Sequence, residues 1–204
     1  MHPIWNLVSI LTARRIYTRA PTRSKCIYLT FDDGPDPDYT PRITSLLAKN
    51  QAQATFFLQG ERVERYGHIV SDLVSGGHTI GNHSYSHASF NAIDLERQVE
   101  EIDRTDSLLK DYDGRDRHIF RPPHGHLNFK TITLFALRRQ DVALWTHDTL
   151  DYRLTTAEIV KRMTDLVLRS GDIILFHDDG APALGALENL LPLWRESGFE
   201  FAAL

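Results

Sequence analysis

Two adjacent carboxylates, Asp32 and Asp33, stand at the end of an apolar run and lead into a Gly-Pro turn. Carboxylates in such a place need a charged or hydrogen-bonding partner. Two imidazoles, His83 and His87, follow further along the chain at a spacing of four residues. This spacing predicts two side chains on one face of a helical turn, an arrangement that suits a divalent metal ion. One aspartate and both histidines would make a three-ligand site with room for water.

The two carboxylates have different predicted roles. On an extended backbone the side chains of Asp32 and Asp33 diverge, so one can ligate a metal ion while the other serves as a base. The alternative is that Asp33 only makes a turn and Asp32 caps a helix. The histidine pair also has an ordinary alternative as core or surface residues. Because Ser84 rather than a glutamate follows His83, a hydrolytic base must come from elsewhere, and Asp32 meets that need.

Three further polar groups follow apolar runs. Arg121 precedes two prolines, where its guanidinium could orient a carboxylate and lower its pKa, or could be an ordinary surface cation. Asp148 and Asp151 are either loop charges or partners for a histidine. His177 is either a satisfied core histidine or part of a site. Since every cluster follows a different predicted strand, we favour the joint interpretation, in which all of them form one site.

Short apolar runs alternate with helical patterns along the chain. Strands are predicted at residues 25–31, 54–58, 78–81, 118–121, 142–145, 173–176 and 199–202. Helices are predicted at residues 41–49, 69–75, 95–110, 129–139, 156–168 and 184–195. This alternation predicts an α/β fold, a single distorted or incomplete (β/α) barrel of about seven parallel strands, with a doubly wound sheet as the alternative. In a barrel the carboxyl ends of the strands share one face, where sites are built.

The composition is that of an ordinary globular chain. The 204 residues are 42% hydrophobic and 25% charged, enough for one domain with a substantial core. A net charge of -4 without a dense basic block argues against a nucleic-acid partner. The single cysteine, Cys26, is interpreted as a core residue. No signal peptide and no membrane-spanning run is evident, so a cytoplasmic location is expected.

Residues 1–24 are predicted to be a helical or extended segment that precedes a domain at residues 25–204. The segment carries an apolar stripe for which we favour a helix packed on the domain. A peripheral contact with a membrane is the alternative. The stripe consists of Trp5, Leu7, Ile10 and Leu11.

Taken together, these motifs resemble those of the polysaccharide deacetylases of carbohydrate esterase family 4, the NodB homology domain. The resemblance extends from about Lys25 to the C-terminus. It rests on five segments in the family's order: Thr-Phe-Asp-Asp-Gly at 30–34, His-Ser-Tyr-Ser-His at 83–87, Arg-Pro-Pro at 121–123, Asp-Thr-Leu-Asp-Tyr at 148–152 and Leu-Phe-His at 175–177. The run Ala-Thr-Phe-Phe at 54–57 also resembles the family's second strand.

The resemblance implies a metal-dependent hydrolase that removes N-acetyl groups from an amino sugar and releases acetate. The substrate would be a polysaccharide, an oligosaccharide or a lipid-linked precursor. Asp32 would be the general base and His177 the general acid, with Arg121 orienting Asp32 and Asp151 pairing with His177. One divalent ion, zinc by availability with cobalt or nickel as alternatives, would be held by Asp33, His83 and His87.

The resemblance also assigns substrate contacts, and there the chain departs from the family. The implied substrate-binding residues are Pro123, His124, Trp145, Tyr152 and Leu175. His124 stands where the family usually has Tyr or Phe, and Tyr152 where it usually has Trp, which concerns the substrate rather than the reaction. His124 could bind sugar, add a metal ligand or only place its backbone N–H. The alternatives in function are an O-acetyl esterase, a cyclic amide hydrolase or a carbohydrate-binding pseudoenzyme.

Overall fold

The computed structural model describes residues 15–22 and 24–204, so the apolar stripe at residues 5–11 lies outside the described part. The strands are β1 (Ile16–Tyr17), β2 (Cys26–Asp32), β3 (Thr55–Leu58), β4 (Thr79–Asn82), β5 (Val142–Ala143), β6 (His147–Asp148), β7 (Ile173–His177) and β8 (Glu200–Ala202). The helices are α1 (Thr40–Lys49), α2 (Gly60–Arg65), α3 (Gly67–Ser75), α4 (Leu95–Asp113), α5 (Phe129–Arg138), α6 (Thr156–Thr164) and α7 (Ala181–Glu196), with a 3-10 turn at Pro123–Gly125.

Strand β2 is the centre of a parallel sheet with the order β4-β3-β2-β7-β6. Strand β8 also pairs with β2, along its first three residues. Beyond β4 the sheet continues through Phe120, which bridges in parallel to Asn82 and to Val142, and so reaches β5 and its partner β1. The pairings between the named strands are parallel. The predicted α/β fold, an incomplete barrel of parallel strands, is confirmed.

The two faces of β2 make different contacts. Phe31 is fully buried and stacks on Phe56 and Phe176, at ring-centroid distances of 4.8 and 5.7 Å. The alternate residues Thr30 and Asp32 are also buried, but both accept hydrogen bonds from the Arg121 guanidinium. A strand buried on both faces is typical of parallel sheets. One face of β2 therefore builds the core, while the other carries polar groups to the site.

The predicted strand at 118–121 is wrong as an extended element, because only Phe120 makes strand-like bridges there. Two prolines follow Arg121 and have no N–H to donate, so a ladder cannot continue. The described part of the chain also contains short elements that the sequence did not predict, among them β1, β6 and α2. They have two to six residues each, too few to show an apolar period.

Strand β1 lies within the predicted segment 1–24 and pairs with β5, so this part of the segment joins the sheet. Arg19 strengthens the attachment, because its Nη2 lies 2.6 Å from Oδ1 of the buried Asp172. Cys26 is buried, as expected of a core residue. Among the described residues, no helix combines the length and the hydropathy that crossing a bilayer requires.

Candidate active site

Asp32 ends β2 in a buried ion pair with Arg121. Nη1 of Arg121 donates to Oδ1 of Asp32 at 2.7 Å and to the Thr30 hydroxyl at 2.9 Å. The other guanidinium nitrogens donate to the carbonyl oxygens of Ala143 and Leu144. Both charged side chains are almost fully buried, and every guanidinium nitrogen has an acceptor. Arg121 therefore fixes Asp32 in one orientation.

Asp33 leaves the strand through a left-handed backbone conformation, with φ of 75°. The divergence predicted for an extended chain therefore does not apply, and both carboxylates line one cavity. They still take different partners. Asp33 lies beside imidazoles rather than beside Arg121, because its Oδ1 is 3.2 Å from Nε2 of His87 and 3.6 Å from Nε2 of His83.

The segment 83–87 is a loop, and the predicted helical turn is wrong. Ser84 and His87 have φ of 67° and 58°, outside the helical region. The Ser84 hydroxyl accepts the N–H of His87 at 3.1 Å, which folds the loop back on itself. The two imidazoles still come together, with ring centroids 5.0 Å apart. The spacing identified the right pair, but a hydrogen-bonded loop rather than a helix face brings the rings together.

Asp33, His83 and His87 each offer one ligand atom, and these atoms lie within 4.8 Å of one another. Nδ1 of His83 lies 2.7 Å from the carbonyl oxygen of Arg121, and this contact directs Nε2 toward Asp33. Burial, and then the charge of His83, lowers the pKa of His87 to about 4, so its imidazole is neutral at physiological pH. Neutral imidazoles and a carboxylate are the donors that divalent zinc takes. The residues present therefore fit a metal ion.

His177 ends β7 next to Asp32 in the sheet register. Its Nδ1 lies 2.7 Å from Oδ1 of Asp151, and its Nε2 lies 4.0 Å from Oδ2 of Asp33. Burial lowers the pKa of His177, but the hydrogen bond and charge of Asp151, with the charges of Asp32 and Asp33, outweigh it and raise the pKa to about 9. His177 is therefore protonated near neutral pH and faces the two carboxylates.

These groups surround a cavity of about 410 Å³. The sequence-predicted site residues that line it are Asp32, Asp33, His83, His87, His124, Trp145, Tyr152, Leu175 and His177. Arg121 and Asp151 lie behind the wall, each bonded to a residue that lines it. Pro123 is buried in the 3-10 turn and is not part of the described lining. The structure therefore brings most of the predicted set to one cavity, with Arg121 and Asp151 supporting it from behind.

His124 sits in the cavity wall in a left-handed conformation, with φ of 59°. Its ring lies edge-on to His87, at a centroid distance of 4.7 Å, and 5.4 Å from the ring of His126. Among the described residues it is not part of the group whose ligand atoms lie within 4.8 Å of one another. Because Pro122 and Pro123 have no N–H, the backbone donor of this turn that could face a substrate is the N–H of His124.

Two residues of the site were missed by the sequence analysis. Gln59 directly follows β3, and its Nε2 donates to Oδ1 of Asp33 at 2.7 Å. Asp179 lines the cavity two residues after β7. Both follow the carboxyl end of a strand, so the rule that located the other residues could have found them. Two other histidines bond to carboxylates outside the cavity lining: His118 to those of Asp106 and Asp113, and His147 to that of Asp172.

The chain is similar to known deacetylases in sequence. The family model described as polysaccharide deacetylase matches residues 19–142. The peptidoglycan-N-acetylglucosamine deacetylase of Bacillus cereus is 33% identical over 190 residues, which cover 90% of this chain and 88% of that protein. The chitooligosaccharide deacetylase of Sinorhizobium fredii is 30% identical over 206 residues, 93% of this chain and 95% of that protein.

Solved structures agree in fold. The Bc1960 peptidoglycan N-acetylglucosamine deacetylase superposes with a TM-score of 0.88 at 28% identity, covering 95% of this chain and 92% of that one. A mutant of BA3943, a CE4 family pseudoenzyme with restored enzymatic activity, has a TM-score of 0.84 at 25% identity, over 93% and 69% of the two chains. The family model covers more than half of this chain, and both curated relatives are at least 30% identical over most of their length, so the chain belongs to the polysaccharide deacetylases.

Proposed function

We propose that this chain is a metal-dependent hydrolase that removes N-acetyl groups from amino sugars in a polysaccharide or oligosaccharide and releases acetate. One observation carries the proposal. The Arg121–Asp32 pair and the Asp151–His177 pair meet at the Asp33, His83 and His87 group. A base, an acid and three metal ligands then face one cavity, the set that metal-assisted amide hydrolysis needs.

Asp33, His83 and His87 would hold the metal ion, with zinc as the proposed ion and cobalt or nickel as alternatives. When bound, a divalent ion there polarises the acetyl carbonyl and lowers the pKa of a nearby water. Gln59 holds Asp33 through a hydrogen bond of 2.7 Å. The carbonyl oxygen of Arg121 orients His83, so the residue that fixes the base also fixes a ligand.

Asp32 is the proposed general base. Arg121 occupies its Oδ1, while Oδ2 faces the imidazole of His83, whose Nε2 is 3.6 Å away. Oδ2 is therefore free of the guanidinium and beside the metal ligands, where it takes the proton of the attacking water. Because Arg121 holds the carboxylate in one orientation, Asp32 presents Oδ2 as the proton acceptor of the base.

His177 is the proposed general acid. Its Nδ1 is bound to Asp151, so the proton on Nε2 is the one that faces the cavity. Water adds to the acetyl carbon, the C–N bond breaks, and this proton goes to the departing amine while acetate is released. The N–H of His124 is the proposed donor to the oxyanion, since such donors stabilise charge that develops in the transition state.

The substrate class is proposed from the cavity wall and the relatives. Trp145, Tyr152 and Leu175 give the wall apolar surface, and the Tyr152 side chain is largely exposed, as expected of a platform for a sugar ring. The relatives are named for peptidoglycan N-acetylglucosamine and for chitooligosaccharides. N-acetylglucosamine units are therefore the proposed substrate. The cytoplasmic location stays a prediction from the sequence.

The test is acetate release from N-acetylglucosamine oligomers by the purified chain, before and after chelation and with zinc or cobalt restored. Asp32→Asn should lower the rate by roughly 10²–10⁴-fold because it removes the base. Asp38→Asn, which changes an exposed aspartate outside the cavity lining, should leave the rate unchanged.

Two outcomes would contradict the proposal. Release that survives complete metal removal would exclude metal dependence. Absence of release from the oligomers by the zinc-loaded chain would exclude this substrate, and O-acetylated sugars and cyclic amides would then be assayed. Binding of oligomers without turnover of any of these compounds would favour the pseudoenzyme.

A further inference from the structure

The loop that carries His83 and His87 is held in a conformation that the chain would not adopt by itself. Ser84 and His87 both have positive φ without being glycine. Such residues cost about 1–3 kcal/mol each and persist only when their surroundings hold them. The three residues between the ligands must therefore be fixed by contacts from elsewhere in the fold.

Glu101, on helix α4, supplies these contacts from one side. Its Oε2 accepts the backbone N–H of Tyr85 at 2.9 Å and that of Ser86 at 2.7 Å. Its Oε1 accepts the Ser86 hydroxyl at 2.8 Å and lies 2.7 Å from Nη2 of Arg97. The carboxylate is fully buried, at 0% side-chain exposure. Three of its four partners thus belong to the short loop between the two histidine ligands.

The amino end of α2 holds the same loop from the other side. The N–H groups of Gly60 and Glu61 donate to the carbonyl oxygens of Ser84 and Tyr85 at 3.0 and 3.1 Å. A Cβ on Gly60 would overlap the Tyr85 ring, so only glycine allows this approach. The residue before α2 is Gln59, which holds Asp33.

We propose that Glu101 is a positioning residue for the metal ligands, through its hold on the backbone between His83 and His87. Glu101 lies outside the cavity lining and its described polar partners are the loop and Arg97, so it acts through the loop. Burying its charge is costly, and the loop N–H groups together with Arg97 offset the cost. A shift of this backbone would move both imidazoles relative to Asp33. The inference rests on the metal site of the proposed function.

The test measures metal binding rather than turnover. Zinc affinity is determined by competition with a chromophoric chelator for the wild type, Glu101→Ala and Glu101→Asp. The aspartate keeps the charge but is one methylene too short to reach all of its partners. Both variants should bind zinc 10–100-fold more weakly, as is typical when support behind a metal ligand is lost. In the cobalt-loaded variants the visible absorption bands should shift, because those bands report ligand geometry.

Glu100 provides the matched control. It is the neighbouring glutamate on α4, it also pairs with Arg97, at 2.7 Å, and its side chain is 58% exposed. Glu100→Ala and Glu100→Asp should change zinc affinity by less than about twofold, because exposed pairs contribute little. Urea unfolding of the metal-free proteins shows whether each variant is folded. If Glu101→Ala does not fold, the zinc affinity of Glu101→Asp tests the proposal.

Folded Glu101 variants with wild-type zinc affinity and an unchanged cobalt spectrum would overturn the positioning role while leaving the proposed function standing. A wild-type chain that binds no zinc, cobalt or nickel would overturn the metal site itself, and with it both proposals. The positioning role of Glu101 is supported if the Glu101 variants bind zinc more weakly and have a shifted cobalt spectrum while the Glu100 variants do not.

Discussion

The acid and base of the site are held differently from its two histidine ligands. Asp32 and His177 end neighbouring strands and are paired in the sheet register. Their partners, Arg121 and Asp151, contact them side chain to side chain at 2.7 Å. The His83–His87 loop has no strand pairing and is held mainly through its backbone, by Glu101 and the amino end of α2.

This difference shows two ways of placing a functional group. The position of a group at a strand end follows from the register of the sheet and is as rigid as the core beneath it. A group in a loop needs separate support from the helices that pack beside it. We call Asp32 and His177 with their partners the strand-end half of the site, and the His83–His87 loop the loop half. Loss of a charged partner should therefore affect the strand-end half most, and loss of a backbone partner the loop half. Three predictions test the strand-end half, and the Glu101 experiment tests the loop half.

The largest effect is expected for Arg121→Met, which leaves the carboxylate of Asp32 buried without its partner. Breaking a buried ion pair from one side costs about 3–5 kcal/mol of unfolding free energy, measurable by urea unfolding. The control is Arg62→Met, because Arg62 is partly exposed and lies 3.5 Å from Asp36. It should cost less than about 1 kcal/mol. Equal effects in the two variants would show that the strand-end half does not depend on its buried charge pair.

Asp178 follows His177 and gives a smaller, pH-dependent effect. Burial raises its pKa to about 7 against the hydrogen bond from Thr40, and its Oδ1 has no hydrogen-bond partner among the described residues. The folded state then binds more protons than the unfolded state from about pH 4 to pH 7, so stability falls as pH rises through this window. Asp178→Asn should therefore raise the unfolding free energy by roughly 1–3 kcal/mol more at pH 8 than at pH 5.

For Asp178 the comparison variant is Asp38→Asn, at an exposed position, measured by urea unfolding at the same two pH values. Its effect should be the same at pH 5 and pH 8. A pH-independent effect of Asp178→Asn would mean that this carboxyl group is not buried in a state that favours the proton.

The smallest effect is expected for Asp151→Asn and concerns a pKa. The pKa of His177 is raised to about 9, so the stabilisation from this pair is fully present below about pH 6.5 and is lost as pH rises through about 9. Asp151→Asn should lower the pKa of His177 by more than about one unit, because burial then acts with less opposition. NMR titration of the imidazole in the metal-free protein measures it.

Asp148→Asn is the control for this titration, because Asp148 lines the cavity without bonding to His177. The imidazole should titrate there as in the wild type. If His177 titrated at the same pH in the Asp151→Asn variant as well, Asp151 would not be what sets its pKa, and the two halves would no longer differ in the way described.

The same difference explains what the sequence could predict. Asp32, Arg121 and His177 each follow an apolar run, and parallel strands bring such ends to one face, so these residues and the barrel were predictable. The loop at 83–87 was not, because its shape depends on hydrogen bonds from helices α2 and α4. An isolated spacing of four favoured a helical turn, and nothing in the local sequence opposed it.

The role of Glu101 could not be predicted from the sequence for a related reason. The buried stripe of α4 contains polar residues at helical spacing: Gln98, Glu101, Thr105 and Asp106. A search for apolar periodicity passes over such a stripe, because it assumes that buried positions are apolar. Polar residues spaced by three and four in an amphipathic helix were the available sign. They indicate a helix that packs on a hydrogen-bonding loop rather than on a core alone.

The pairing of β2 has a consequence for how the chain folds. This strand, which carries the catalytic base, lies early in the sequence, yet the Thr30 hydroxyl donates to the carbonyl oxygen of Ile174, 144 residues later. Strand β8, still further along, completes its other edge. Contacts so distant in sequence require a large loop to close first, which slows folding. Strand β3 can pair with β2 early, but the edge of β2 that pairs with β7 stays open until most of the chain is synthesised. Protection of this apolar edge from aggregation in that interval becomes part of what the protein needs.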